Sequence, residues 1–523
     1  MSADAVIIGS GPNGLVAANL LADKGWKVVV LEEQDVPGGA VKSSELTGVP
    51  GFTSDHFSSF YPLSVASPVI GKLDLPRYGL RWMRSEGSVA HPLNDGSCAF
   101  LSLDIDETAA SLDAYAPGDG DKWKELYALY EKVGSFLVEG LMTPFPPVKV
   151  GAKMAAALNR DLLKFARFGI LPVRRLAEET FKGAGGANLI AGNALHADLT
   201  PDSNGGGLFG WLLCMVGQQV GFPVPEGGAG NLVKALVARL EDRGGEVLTG
   251  RRVTGVLVEN GRAAGVRTED GDTVRAAKAV LADTGAPQLY LELIPREHLP
   301  KRTVESFESF QYDASTIKVD WALDGPIPWT APDARRAGTI HLTEGMDHLT
   351  QTAADIVTRR IPAEPFLIMG QYSMVDPSRA PAGKETAWAY THVPQETRGD
   401  AGGELTGSWD EDETNAFADR CEAEVEKRAP GFRKLVRARH VFNPHTLEAA
   451  NRNLVGGAVN SGTAQLHQQL VFRPIPGTGR PETPVPGLYL ASASAHPGGG
   501  VHGGPGNNAA RAALAHDRLR LRR

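Results

Sequence analysis

An α/β fold carrying an inserted α+β region follows from three observations along the 523 residues. The first is AVIIGSGPNG at 5–14, a short apolar run closed by Gly9, Gly11 and Gly14. The second is a strand meander over 246–283, with hairpin turns at Asn260-Gly261 and Asp270-Gly271. The third is the closing block LYLASASAHPGGGVHGGPGNNAA at 488–510, a strand, a glycine-rich turn and the start of a helix.

The opening unit carries the most chemistry. Residues 5–8 predict a strand, and 13–24 predict a helix with Leu15, Ala18, Leu21 and Ala22 on one face. Residues 27–31 predict a second strand, which stops at Glu32. A GxGxxG loop set between strand, helix, strand and acid is the Rossmann arrangement that cradles an adenine dinucleotide. Gly9 permits the tight turn, Gly11 lets the backbone approach a pyrophosphate, and Gly14 lets helix and strand pack closely. Ser10, Pro12 and Asn13 complete the loop ahead of the helix N-terminus, which favours phosphate. Glu32, followed by Glu33, is placed to accept from ribose hydroxyls.

Three blocks therefore read as one discontinuous nucleotide-binding domain: 1–55, 225–283 and 487–523. The substrate domain is expected from the two insertions, 56–224 and 284–486. In the second insertion Ile317, Val319, Trp321 and Leu323 alternate as in a half-buried strand. Residues 365–372 and 386–393 read likewise, which suggests a mixed sheet roofing the cofactor.

Composition narrows the function. A net charge of −8 argues against a general nucleic-acid binder. Cys98, Cys214 and Cys421 are too scattered for a local redox dithiol or a cysteine metal site, and the histidines form no HExxH, so no metal is expected. The uncharged stretch 203–225, with Gly205, Gly206, Gly207, Gly210 and Gly217, reads as a cavity wall rather than a membrane span. A first strand opening near the fourth residue leaves no room for a signal peptide, so a cytoplasmic location is expected. Over 149–182, Met154, Leu158, Leu162 and Phe165 keep helical spacing among Lys153, Arg160, Lys164, Arg167, Arg174 and Arg175. Two readings stand for this stretch: an interfacial helix in peripheral contact with a membrane, collecting an apolar substrate, or an ordinary amphipathic cap.

These motifs, in this order, resemble the FAD-dependent phytoene desaturase and amine oxidase superfamily, with its glutathione-reductase-like FAD domain. GGAVKSSELTGVPGFTSD at 38–55, NPHTLE at 443–448 and HQQLVFRPIPG at 467–477 are most similar to one branch. It comprises phytoene dehydrogenase-related proteins of the pyridine nucleotide-disulfide oxidoreductase domain-containing protein 2 type. Two departures stand out. Ala40 replaces the arginine that many relatives carry after the Gly38-Gly39 pair, and the scattered cysteines allow no disulfide chemistry.

The resemblance implies FAD, with Gly38, Gly39 and Ala40 beside it and the Val253 backbone gripping adenine. It also brings Gly500, Val501 and His502 to the flavin, where a helix N-terminus would stabilise the anionic reduced form. Among histidines that could line the substrate cavity, His496, then His196 with Asp198, then His56 beside Asp55 are the catalytic candidates. A hydrogen-bonded structural histidine is the competing reading for each. The implied reaction is carbon-carbon dehydrogenation of a bulky apolar or amphipathic substrate such as an isoprenoid, a carotenoid-like polyene or a polyketide. Hydride would pass to flavin N5, and oxygen or a quinone would take the electrons. Two alternatives stay open: carbon-nitrogen oxidation inside a cage drawn from Tyr61, Trp211, Trp388 and Tyr390, and a flavin-binding scaffold with little turnover.

Overall fold

The computed structural model describes residues 2–520. It begins with two strands, β1 (Ser2–Ile8), apolar from Ala5 onward, and β2 (Val28–Leu31), apolar throughout, joined by helix α1 (Pro12–Ala22). Pro12 suits the first helical position, where a missing N–H breaks no intrahelical bond. Two short strands, β3 (Ser43–Ser44) and β4 (Ser54–Asp55), then pair antiparallel. The chain next enters a second region through β5 (Gly87–Pro92) and β6 (Cys98–Ser102). Helices α2 (Val148–Leu158), α3 (Leu162–Phe168), α4 (Ala184–Ala194) and α5 (Gly206–Val220) follow there. Helix α6 (Gly230–Asp242) leads back to β7 (Glu246–Leu248), β8 (Val253–Glu259), β9 (Arg262–Thr268) and β10 (Thr273–Ala282). The second region resumes with β11 (Ser315–Leu323), β12 (Ala337–Leu342), β13 (Leu367–Gln371), β14 (Glu385–Val393) and β15 (Val436–Phe442). Strand β16 (Leu488–Leu490) and helix α7 (Gly504–Arg520) return to the first.

The first sheet runs β8-β9-β10-β1-β2-β7, with β16 beside β10. Its centre is parallel: Ile8 lies opposite both Leu31 and Ala282. One face packs on α1, α6 and α7 and the other on the β8–β10 meander and residues 286–294, so 5–8, 28–31 and 279–282 are apolar. At the antiparallel edge Asn260 and Gly261 take φ of +50° and +71°, the twist that a two-residue hairpin needs. This is a Rossmann-type sheet, and the chain is α/β.

The second sheet runs β15-β11-β14-β13-β12-β5-β6, and it holds all three segments expected to roof the cofactor. One expectation is corrected here. The alternation along 317–323 suggested a half-buried strand, yet every residue of β11 is buried. Ile317, Val319, Trp321 and Leu323 fill a core, whereas Thr316 and Lys318 face the cavity described below. The uncharged stretch at 203–225 becomes α5, packed so closely on α4 that a Cβ on Gly210 would lie 2.3 Å from the Ile190 carbonyl. Among the described residues no helix is long and apolar enough to cross a membrane.

Candidate functional site

Three parallel strands end level, and the polar groups just beyond them meet. The Gly9 amide donates to the Leu31 carbonyl (2.8 Å), Asp283 to Ile8 (2.8 Å) and Glu32 to Leu248 (2.9 Å). This is the carboxyl edge, where open α/β sheets take their ligands. Glu32 accepts from the Ser10 amide (2.9 Å), the Ser10 hydroxyl (2.6 Å) and the Gln34 amide (3.0 Å). The Ser10 hydroxyl in turn accepts from the Gly38 amide at 3.1 Å. Glu32, expected only as a ribose acceptor, therefore also fixes the turn and draws the second glycine pair onto it.

Asp283 is a site residue that sequence reasoning missed. Its carboxyl accepts from the Gly14 amide at 2.7 Å, capping α1 from another strand. A Cβ on Gly11 would lie 2.5 Å from that carboxyl, and one on Gly14 would lie 2.5 Å from the Gly9 carbonyl. The glycine spacing thus makes room for Asp283 as well as for a ligand. Burial, with Glu32 nearby, pushes the Asp283 carboxyl up to about 7. A signal was present in the sequence: a carboxylate directly after an apolar strand, as at Glu32.

The residues fit an adenine dinucleotide. Helix α1 opens at Gly11, which has no side chain to cap it, and has no acid in its first turn; Asp283 takes the Gly14 amide, and the rest of the N-terminus is left for an anion. Asn13 Oδ1 is buried without a hydrogen-bond partner. A cavity of about 1070 Å³ starts at this turn and is lined by every expected cofactor residue except Gly14 and Gly38, which lie behind the loop. Beside this loop, with Gly506 against the Asn13 carbonyl, the turn before α7 is held by its own hydrogen bonds. Ser64 and Ser67 hydroxyls donate to the Val501 and His502 carbonyls. The Gly504 amide donates to His502 Nδ1 (3.1 Å), so Nε2 carries the proton toward the Gly499 carbonyl (3.2 Å). His502 lines the cavity but acts on its own turn.

The catalytic histidines separate. Only His196 of the three lies in the cavity wall. His56 sits outside it, with Nε2 2.7 Å from the Ser44 hydroxyl, because the chain turns Asp55 inward to Arg379 and His56 the other way. His496 also lies outside, edge-on to Phe145, and burial lowers its pKa to about 4. The expected His196–Asp198 pairing is replaced: Asp198 approaches His392 Nε2 at 2.9 Å, and His196 Nε2 meets His341 Nε2 at 2.9 Å.

A second missed residue is Lys318. It lines the cavity, donates to the Asp55 carbonyl (2.9 Å) and is ion-paired with Asp320. Burial lowers its pKa and raises that of Asp320 to about 6. The wall contributed by α5 is apolar: Leu208, Phe209, Leu212 and Leu213, then Phe222. Among the described residues no group of three or more His, Cys, Asp or Glu side chains could hold a metal ion.

Comparison with known proteins agrees with this geometry. Residues 13–514 match the family model described as flavin containing amine oxidoreductase. The chain is 30% identical to pyridine nucleotide-disulfide oxidoreductase domain-containing protein 2 of Rattus norvegicus, over 97% of this chain and 92% of that protein. It is 26% identical to the neurosporene-forming phytoene desaturase of Cereibacter sphaeroides, over 99% and 96%. Among solved structures, cyclohexylamine oxidase from Brevibacterium oxydans shares the fold, with a TM-score of 0.60, 16% identity and complete coverage of both chains. The cofactor is FAD.

Two predictions follow from the loop. Gly14→Ala forces a Cβ against backbone and should cost about 1–3 kcal/mol, with co-purifying flavin, read as the ratio of visible to ultraviolet absorbance, falling severalfold. Asp283→Asn keeps an oxygen for the Gly14 amide but cannot ionise. Because the folded-state pKa of Asp283 is raised, its contribution to stability is full below the unfolded value near 3.8 and is lost as pH climbs through about 7. Thermal melts should therefore show Asp283→Asn more stable than wild type at pH 8 and equal to it near pH 4.

Proposed function

Because the chain belongs to the family of flavin-containing amine oxidoreductases, we propose that it is an FAD-dependent dehydrogenase that introduces a carbon-carbon double bond into a bulky, mostly apolar substrate. The observation that carries this reading is the continuity of the cavity, which runs from the nucleotide turn to the apolar wall of α5. At about 1070 Å³ it stands at the top of the range for small-molecule sites, about 300–1,000 Å³. Bound FAD supplies the two-electron acceptor for the hydride, and oxygen or a quinone restores it. The chain's own residues orient the substrate and exclude water along Leu208, Leu212 and Phe222. The Lys318–Asp320 pair provides a place in the wall where the released proton is held.

Carbon-nitrogen oxidation is less well supported. Trp388 and Tyr390 stack on each other along one strand (centroids 5.7 Å, 13° between planes), presenting one aromatic surface rather than two facing walls. Trp211 is fully buried outside the cavity wall. A sealed flavin scaffold also fits poorly, since Ile170, Leu466, Leu470 and Phe472 line the cavity and are exposed, giving a ligand a path in.

That mouth supports delivery from an anionic lipid surface. Leu163 is 83% exposed and Val148 70%, on the helices beside it. Lys149, Lys153, Arg160 and Lys164, on or between the same helices, are exposed and enter no ion pair among the described residues. Apolar side chains among unpaired cations, on a chain of net charge −8, match an interfacial binding face.

Two measurements test this reading. Flavin absorbance should bleach anaerobically with an apolar polyene precursor and not with a primary amine; bleaching by the amine alone would overturn it. Wild-type protein should float with vesicles of phosphatidylcholine and phosphatidylglycerol, and Val148→Glu/Leu163→Glu should not, at unchanged flavin content. Failure of the wild type to float would remove the lipid-surface part.

A further inference from the structure

The cavity wall formed by the second sheet carries polar atoms that no protein group satisfies. Strand register places Thr339, Gly370 and Trp388 in one rank across β12, β13 and β14, and His341, Ile368 and Tyr390 in the next. Two residues along a strand separate the ranks by about 7 Å. Thr339 and Trp388 both line the cavity, and Thr339 Oγ1 and Trp388 Nε1 are buried without hydrogen-bond partners. The indole nitrogen lies over Gly370, where a Cβ would stand 2.3 Å from it. Both atoms are closed off by their neighbours, so they form a polar rank behind the cavity surface.

His196 rests on this face through His341, and the proton between the two imidazoles can be placed. Both rings are neutral: burial lowers His196 to about 3 and His341 well below its ordinary value. At a separation of 2.9 Å, one Nε2 carries the shared proton and the other accepts it. His341 Nδ1 decides which. That nitrogen is buried without a partner and faces Gly192, where an added Cβ would lie 2.1 Å away. A hydrogen there would clash with the glycine methylene, whereas a bare lone pair leaves room for it. His341 therefore leaves Nδ1 bare and donates from Nε2. His91, its neighbour, is arranged the same way, with Nε2 donating to the Thr343 carbonyl at 3.2 Å and Nδ1 bare. His196 must accept at Nε2, so its own proton sits on Nδ1.

We propose that His196 Nδ1–H is a donor in the cavity wall that receives a carbonyl or hydroxyl oxygen of an otherwise apolar substrate. His196 is thus a specificity-determining donor rather than a base. The substrate is an amphipathic chain with one oxygen at the sheet and its hydrocarbon along Leu212, Leu213 and Phe222. This rests on the reading of the cavity as an apolar substrate site.

The test compares equilibrium binding of two probes to the flavin-loaded protein, geranylgeraniol and the same C20 polyene without its hydroxyl, by quenching of tryptophan fluorescence. Wild type should bind the alcohol five- to tenfold more tightly, in line with about 1–1.4 kcal/mol for one hydrogen bond. His196→Phe should abolish the difference while hydrocarbon affinity and flavin content stay within twofold, and His196→Gln, which retains an N–H donor, should restore part of it. Equal affinities in wild type, or a preference that survives His196→Phe, would overturn the donor site alone. Binding of neither probe would overturn the apolar substrate reading with it. Independently, ¹⁵N spectra of histidine-labelled protein, with the His196 signals assigned by their loss in His196→Gln, should show a protonated Nδ1; a protonated Nε2 would refute the assignment.

Discussion

The hydrogen-bonded knot of Glu32, Ser10, Gly38, Gly14 and Asp283 is the constraint on which the cofactor end depends. Glu32 closes the first turn through Ser10, Ser10 brings in the second glycine pair, and Asp283 caps the helix that follows. All five sit where three level strands run out, so no one of them can shift without disturbing the others. Two carboxyls share this small space beside a helix N-terminus. Burial resolves the conflict by leaving Asp283 partly protonated while Glu32 is saturated with donors. The same device lets an acid-rich loop tolerate a diphosphate, since a protonated carboxyl adds no repulsion.

The opposite wall follows a different rule. There the sheet buries both of its faces, so polar residues on β11 and β12 must find partners inside the protein. Lys318 and Asp320 pair with each other, with the Asp55–Arg379 ion pair close by. His341 finds His196. Where the partners run out, at Thr339 and Trp388, the side chains line the cavity while their polar atoms stay buried and unsatisfied. Polar chemistry on this wall is thus concentrated at a few points in an otherwise apolar lining, which suits a ligand that is mostly hydrocarbon.

What the sequence disclosed depended on how local each signal is. The opening loop and the turn before α7 are contiguous, so Gly9 to Asn13 and Gly500 to His502 could be assigned without a structure. Asp283 acts on Gly14 across 269 residues, and nothing in either segment announces the other. Lys318 was hidden by its own pattern, because an alternating strand normally turns such residues to water and this one turns them to a cavity. For His196 the segment was right and the neighbour was not: Asp198, two residues away, pairs with His392, whereas His196 meets His341, on another strand. His56 and His496 lie next in sequence to wall residues, Phe57 and Pro497, yet side-chain direction takes both away from the wall.

The placement of β16 has a consequence for how the molecule comes into being. This strand pairs with the last residues of β10, Val280 to Ala282, immediately before Asp283, yet it is made some two hundred residues later. Until it arrives, that end of β10 is an unpaired edge, and the loop that holds Asp283 is supported from one side. Closing so long an excursion is slow compared with forming the local strand-helix-strand unit. The GxGxxG loop is thus complete in sequence long before the strand that flanks its Asp283 support.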